Sequence, residues 1–176
     1  MPGPVAEEIA RSVRRLPGLG GHFRYPPAQI HMTVRNLDGV ELADLPDILS
    51  GVPAIELRTA GLCFTRETLL VRFVPTDRTL RGLRSELDGL PGARPLARAR
   101  SALAFANVLR LNGVVSRELR VGVRRTGREL EGRPVEIDEV QLVSTDKVGS
   151  PDRTQILGRY ALGGRGRRTA TPGQRR

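Results

Sequence analysis

The stretch HMTVRNL, residues 31–37, decides how this chain is read. In extended backbone successive side chains alternate faces. Ile30, Met32 and Val34 then point one way, and His31, Thr33 and Arg35 the other. An imidazole, a hydroxyl and a guanidinium then stand in a row on one face. The plain alternative is three polar residues on the wet side of a strand. The preceding RYPPAQ is extended because of its prolines. Tyr25 within it can stack on a nucleobase or pack against Pro26 and Pro27.

A second stretch repeats this layout. Helical spacing of Val5, Ile9, Val13 and Leu16 predicts a helix over 4–16, followed by a loop and a strand over 30–37. Leu80, Leu83 and Leu87 predict a helix over 76–90, capped by Thr76 or Asp77, then a loop and a strand over 103–111. The two strands align as HMTVRNL and FANVLRL. Phe105 matches His31 at a separation of 74 residues, and Asn107 matches Thr33. Asn107 can hydrogen-bond and Arg110 can neutralise an anion, or Arg110 can serve a surface ion pair.

Around these motifs the chain reads as mixed helix and antiparallel strand. AIELRTAGLCFT and TLLVRFVP are strands joined by a polar turn, and LADLPDILSGV is a short helix and turn. RELRVGVRRTG is helical or irregular. RPVEIDEVQLVSTD is one strand with acidic residues on one side, and SPDRTQILGRYALGG closes the domain as another. The fold class is therefore α+β. His22 lies outside the matching strand and is expected to be structural, as are Arg159 and Tyr160 in the closing strand.

Composition excludes several functions. The 176 residues suffice for one domain with a proper core, built mainly from Leu, Val, Ile and Ala because aromatics are only 3%. A single cysteine, Cys63 in the apolar AGLCFT, rules out an internal disulfide and suits a buried inert thiol better than a nucleophile. Two histidines and one cysteine do not make a standard zinc site without carboxylates. No phosphate-cradling glycine loop, dinucleotide fingerprint or EF-hand loop occurs. With no apolar run of about 18 residues and no apolar N-terminal region, cytoplasmic residence without a membrane span is expected. The formal net charge is +10, and the last fourteen residues carry five arginines and no acid. That tail, 163–176, is expected to be disordered and able to touch nucleic acid through Arg165, Arg167, Arg168, Arg175 and Arg176. Of 29 basic residues only Lys147 is lysine, a skew that a GC-rich genome explains as well as phosphate binding does.

Over roughly residues 4–162 the chain resembles the 2H phosphoesterase superfamily, the 2′-5′ RNA ligases and cyclic phosphodiesterases. The resemblance runs through RYPPAQIHMTVRNL, IELRTAGLCF, LLVRFVP, LRGLRSELD, the second motif strand and VEIDEVQLVSTD to GRYAL. It implies two pseudo-symmetric lobes of antiparallel sheet with flanking helices around a central cleft. Two His-x-Thr/Ser motifs face each other there, the histidines acting as general base and acid and the hydroxyls holding the phosphate. His31 and Thr33 match the first motif. The second departs: Phe105 stands at the histidine, Asn107 at the hydroxyl, and Arg110 at a frequent arginine. The strand that usually opens the first lobe has no counterpart ahead of the first helix; either it lies upstream or the lobe is trimmed. The resemblance implies a protein, hydrolase or binder, that meets a 2′,3′-cyclic or 2′-5′ phosphodiester of RNA or a nucleotide with His31 as its acid/base, needing no metal or organic cofactor. The missing proton-transfer role then falls to an arginine, Tyr160 or water. The alternative is a catalytically impaired relative that binds nucleotide or RNA ends in the same cleft.

Overall fold

The computed structural model describes residues 3–94, 104–145 and 153–163. Its elements run α1 (Gly3–Arg14), β1 (Phe23–Arg24), a 3-10 turn (Pro27–Gln29), α2 (Leu45–Ser50), β2 (Ile55–Phe64) and β3 (Thr68–Pro75). They continue with α3 (Thr79–Asp88), β4 (Ala104–Arg110), α4 (Arg117–Leu130), β5 (Pro134–Ile137), β6 (Glu139–Ser144) and β7 (Gln155–Ala161). Five strands form one antiparallel sheet in the order β1-β4-β3-β2-β5, and β6 pairs with β7 in a second. The expected α+β architecture of antiparallel sheets and flanking helices is the observed one.

Period-two burial fixes which face of the large sheet is covered. Ala104, Ala106 and Val108 of β4 are buried beside Val71 and Phe73 of β3, while Phe105 and Asn107 point outward. Helices α1 and α4 cover the buried face, α1 against β4 and α4 against β2. Ser116 caps α4, its hydroxyl accepting from the Leu119 amide at 3.1 Å. The stripe of α4 that meets the sheet is Leu119, Gly122, Val123, Thr126, Gly127 and Leu130. Gly127 allows the backbones to touch: a Cβ there would lie 3.0 Å from the amide nitrogen of Leu62. At the far end of α4 the Thr59 hydroxyl donates to the carbonyl of Leu130 and accepts from the Arg133 amide at 3.0 Å. The other face of the sheet is exposed at Glu56, Arg58, Arg72, Val74, Phe105 and Asn107, and covered at Leu70, which lies opposite Asn107.

Three sequence expectations about secondary structure need correcting: RYPPAQ is not extended throughout, since Pro27–Gln29 form a 3-10 turn. Residues 134–145 form two strands of different sheets, β5 and β6, parted at Asp138. Residues 30–37 are not a strand: they hold one isolated antiparallel bridge, between Met32 and Ala106. The proline pair is the cause. Pro27 opens a 3-10 turn that closes with the Ile30 amide on the Pro27 carbonyl at 3.1 Å, lifting the chain off the edge of β4. β1 runs along that edge first, pairing Phe23 with Arg110 and Arg24 with Leu109, and the chain returns to it only at Met32. The N-cap of α3 is Arg78, without a side-chain cap, rather than Thr76 or Asp77; the Asp77 carboxylate accepts from the Thr79 amide at 2.9 Å just ahead of it. Among the described residues no helix is long and apolar enough to cross a membrane. The arginine-rich tail lies outside the described residues.

Candidate functional site

The single bridge places the two motifs with respect to each other. Met32 is the middle residue of His31-Met32-Thr33, and Ala106 is the middle residue of Phe105-Ala106-Asn107. Pairing them antiparallel sets His31 beside Asn107 and Thr33 beside Phe105. Residues matched by the repeat therefore lie diagonally, on either side of the pairing point. His31, Thr33, Phe105 and Asn107 are all exposed.

Arg110 reaches the same face because β4 bulges. Asn107 pairs with Leu70 and Leu109 with Leu69, so Val108 is an extra residue and both Val108 and Leu109 turn inward. Arg110, opposite Thr68 and Phe23, is thereby returned to the side of Asn107. Tyr25 is half-buried against the core, its ring edge-on to Phe23 at 5.3 Å between centroids.

His31 is oriented by its own backbone. Its Nδ1 lies 2.8 Å from the carbonyl oxygen of Gln29. A carbonyl only accepts, so in the neutral ring Nδ1 carries the proton and Nε2 keeps its lone pair. A ring held this way presents Nε2 as a base.

Arg35 does not join this face. Its side chain is 5% exposed, with Nε 2.6 Å from Asp88 Oδ1 and a guanidinium nitrogen on the carbonyl of Arg94. The Nε–Oδ1 contact is close but not aligned as a hydrogen bond, so it acts as a buried ion pair. The expected row of His31, Thr33 and Arg35 ends after Thr33, because the regular strand that would carry it is absent.

The sequence reading missed Arg84. It is 4% exposed in α3, with Nε donating to the carbonyl of Val34 at 3.0 Å and a second nitrogen to that of Thr33 at 3.3 Å. A guanidinium thus takes the place of a neighbouring strand for the first motif. Burial pulls this group down from its ordinary value and the Asp88 carboxylate pushes it back up. The signal was legible: Arg84 falls at helical spacing between Leu80 and Leu87, on an otherwise apolar stripe, with Asp88 four residues on.

The remaining candidates have ordinary roles. His22 Nδ1 accepts from the Asn112 amide at 3.2 Å, as a structural histidine does. Arg159 pairs with Glu139 at 3.0 Å. Tyr160 lies back along its own strand, where a Cβ on Gly158 would meet its hydroxyl at 2.9 Å. Burial pushes the Cys63 thiol up, the Arg72 charge pulling part of the way back, so the thiolate is disfavoured. Among the described residues no three of His, Cys, Asp and Glu gather as a metal site. A groove of about 350 Å³ between α2 and α3, lined by Asp47, Val52, Leu83 and Glu86 among others, contains none of the motif residues.

No protein-family model matches the chain, and no curated protein matches it in sequence. Its fold is shared. The crystal structure of TT0787 of Thermus thermophilus superimposes with a TM-score of 0.56, covering 93% of this chain and 94% of that one at 16% identity. At that identity the likeness is one of fold.

Proposed function

We propose that the face bearing His31, Thr33, Asn107 and Arg110 is a phosphodiester site of 2H phosphoesterase type, with His31 as its only proton-transfer residue. The observation that carries this reading is the Met32–Ala106 bridge, which makes the centres of two repeated motifs direct partners. The fold shared with TT0787 over nearly the whole of both chains supports the α+β frame that this reading needs. The ligand is a 2′,3′-cyclic or 2′-5′ phosphodiester of RNA or a nucleotide. Thr33 and Asn107 hydrogen-bond the phosphate oxygens, and Arg110 offsets their charge.

Opening such a diester joins a water oxygen to phosphorus and breaks one P–O bond to the ribose. His31 Nε2 takes the water's proton. The departing alkoxide must gain a proton, and Phe105 has none to give, so it comes from solvent. A missing general acid costs about 10²–10⁴-fold in rate. The site is therefore a slow hydrolase. The exposed Phe105 ring, standing where the repeat has a histidine, favours a second reading: a binder of RNA or nucleotide ends that retains its ligand.

The test is turnover of 2′,3′-cyclic and 2′-5′-linked nucleotides by the wild type beside His31→Ala. Slow turnover that falls about 10²-fold or more in the variant is expected. Turnover untouched by the substitution would overturn the hydrolase.

A further inference from the structure

We infer that the open face of the five-stranded sheet is a stacking platform for an unpaired nucleic-acid strand, with Phe105 and Phe23 receiving bases and Arg110 and Arg72 meeting the phosphates. The proposal deepens the phosphodiester reading, on which it rests for the position of the scissile or bound phosphate beside His31.

The aromatic residues carry it. The chain has four phenylalanines and two tyrosines in 176 residues, so an exposed ring is a costly use of a scarce side chain. Phe73 is buried and Phe64 packs against the core. Phe23 and Phe105 are 47% and 40% exposed, and both sit on the open side of neighbouring strands. Each has a cation directly across the ladder: Arg110 opposite Phe23, and Arg72 opposite Phe105. Among the described residues the Arg110 side chain makes no hydrogen bond or ion pair of its own. Arg72 spends one nitrogen on the Ala60 carbonyl at 2.9 Å and keeps the rest of its fork. Asn107 lies between the two rings along β4.

Ring and guanidinium side by side on an exposed antiparallel sheet form the pattern that reads splayed bases. The π-face takes any base and the cation takes the backbone. A duplex hides those faces in its own stack. The backbone positions that carry the two rings are about 13 Å apart in register along β4, counting paired residues at roughly 3.3 Å each. That is well beyond the roughly 7 Å of a stacked pair, so they address two bases of one strand rather than clamping one. Phe105 therefore has a use at the place where the repeat has a histidine: the position has exchanged proton transfer for stacking.

The test is fluorescence anisotropy of the full chain with a 5′-labelled oligouridine RNA of about eight residues, its deoxy counterpart, and an RNA duplex of equal length, at raised salt so that the C-terminal arginines contribute little. Expected are single-strand binding, at least tenfold weaker duplex binding, and a loss of about 5- to 150-fold in each of Phe105→Ala and Phe23→Ala, with Phe105→Tyr retaining affinity. Both rings are exposed, so the variants fold, and unchanged thermal unfolding checks it. Equal affinity for the deoxy strand supports a platform blind to the 2′-hydroxyl. Wild-type affinity in both alanine variants, or equal binding of the duplex, overturns the proposal. The phosphodiester reading fails separately, by turnover indifferent to His31→Ala.

Discussion

The two motif segments lean on each other at Met32 and Ala106 but are held in different ways. Phe105-Ala106-Asn107 belongs to β4, with β3 hydrogen-bonded along one side and Ala106 fully buried. His31-Met32-Thr33 has one bridge and no ladder, and a helix arginine satisfies the carbonyls that follow. In the phosphodiester reading proposed above, the irregular segment carries the proton-transfer residue and the regular one does not. A turn gives His31 its Gln29 partner, and an arginine pins the Thr33 carbonyl.

That contrast can be broken by mutation. The largest effect is expected from Arg84→Met, which keeps the apolar stem of the residue but removes the donors that pin the first motif. Leaving two part-buried carbonyls and the buried end of this side chain without partners should cost about 2–4 kcal/mol. Thermal unfolding should show it as a fall of roughly 5–15 °C. The matching cut in the second segment, Asn107→Ala, removes an exposed side chain from an intact ladder. It should change stability by no more than about 0.5 kcal/mol in the same assay. Equal losses in the two variants would mean that both segments are held alike. The smallest effect sharpens the limits of the site. The thiol of Cys63 is raised by burial, so less thiolate is present at mildly alkaline pH than in a free cysteine. Alkylation at about pH 8 should be several-fold slower in the folded protein than after unfolding, and should leave ligand binding unchanged.

Much of this architecture was legible in the sequence. The helices over 3–14 and 79–88 and the hairpin β2–β3 follow from apolar spacing and turn residues, and the repeat that aligns 31 with 105 is the one the Met32–Ala106 pairing joins. Helix α4 was ambiguous for a physical reason. Its buried stripe contains Gly122, Thr126 and Gly127, poor helix formers whose value is the close approach they permit. The alternation of 30–37 suggested a strand, but the preceding prolines and the demands of Arg84 prevailed. Arg35 was then drawn off the shared face to Asp88, a partner 53 residues away that no local pattern reveals. Spatial neighbours were also hidden by the alignment, since residues equivalent by repeat are diagonal rather than adjacent.

The central claim is that Phe105 occupies the partner position to His31 across the pairing point. Turnover of a 2′,3′-cyclic nucleotide by Phe105→His tests it most directly, measured beside wild type and the double variant with His31→Ala. Restoring a second imidazole should raise the rate by about 10² or more, and the gain should vanish when His31 is also removed. A folded Phe105→His protein no faster than wild type would contradict the pairing as a catalytic one.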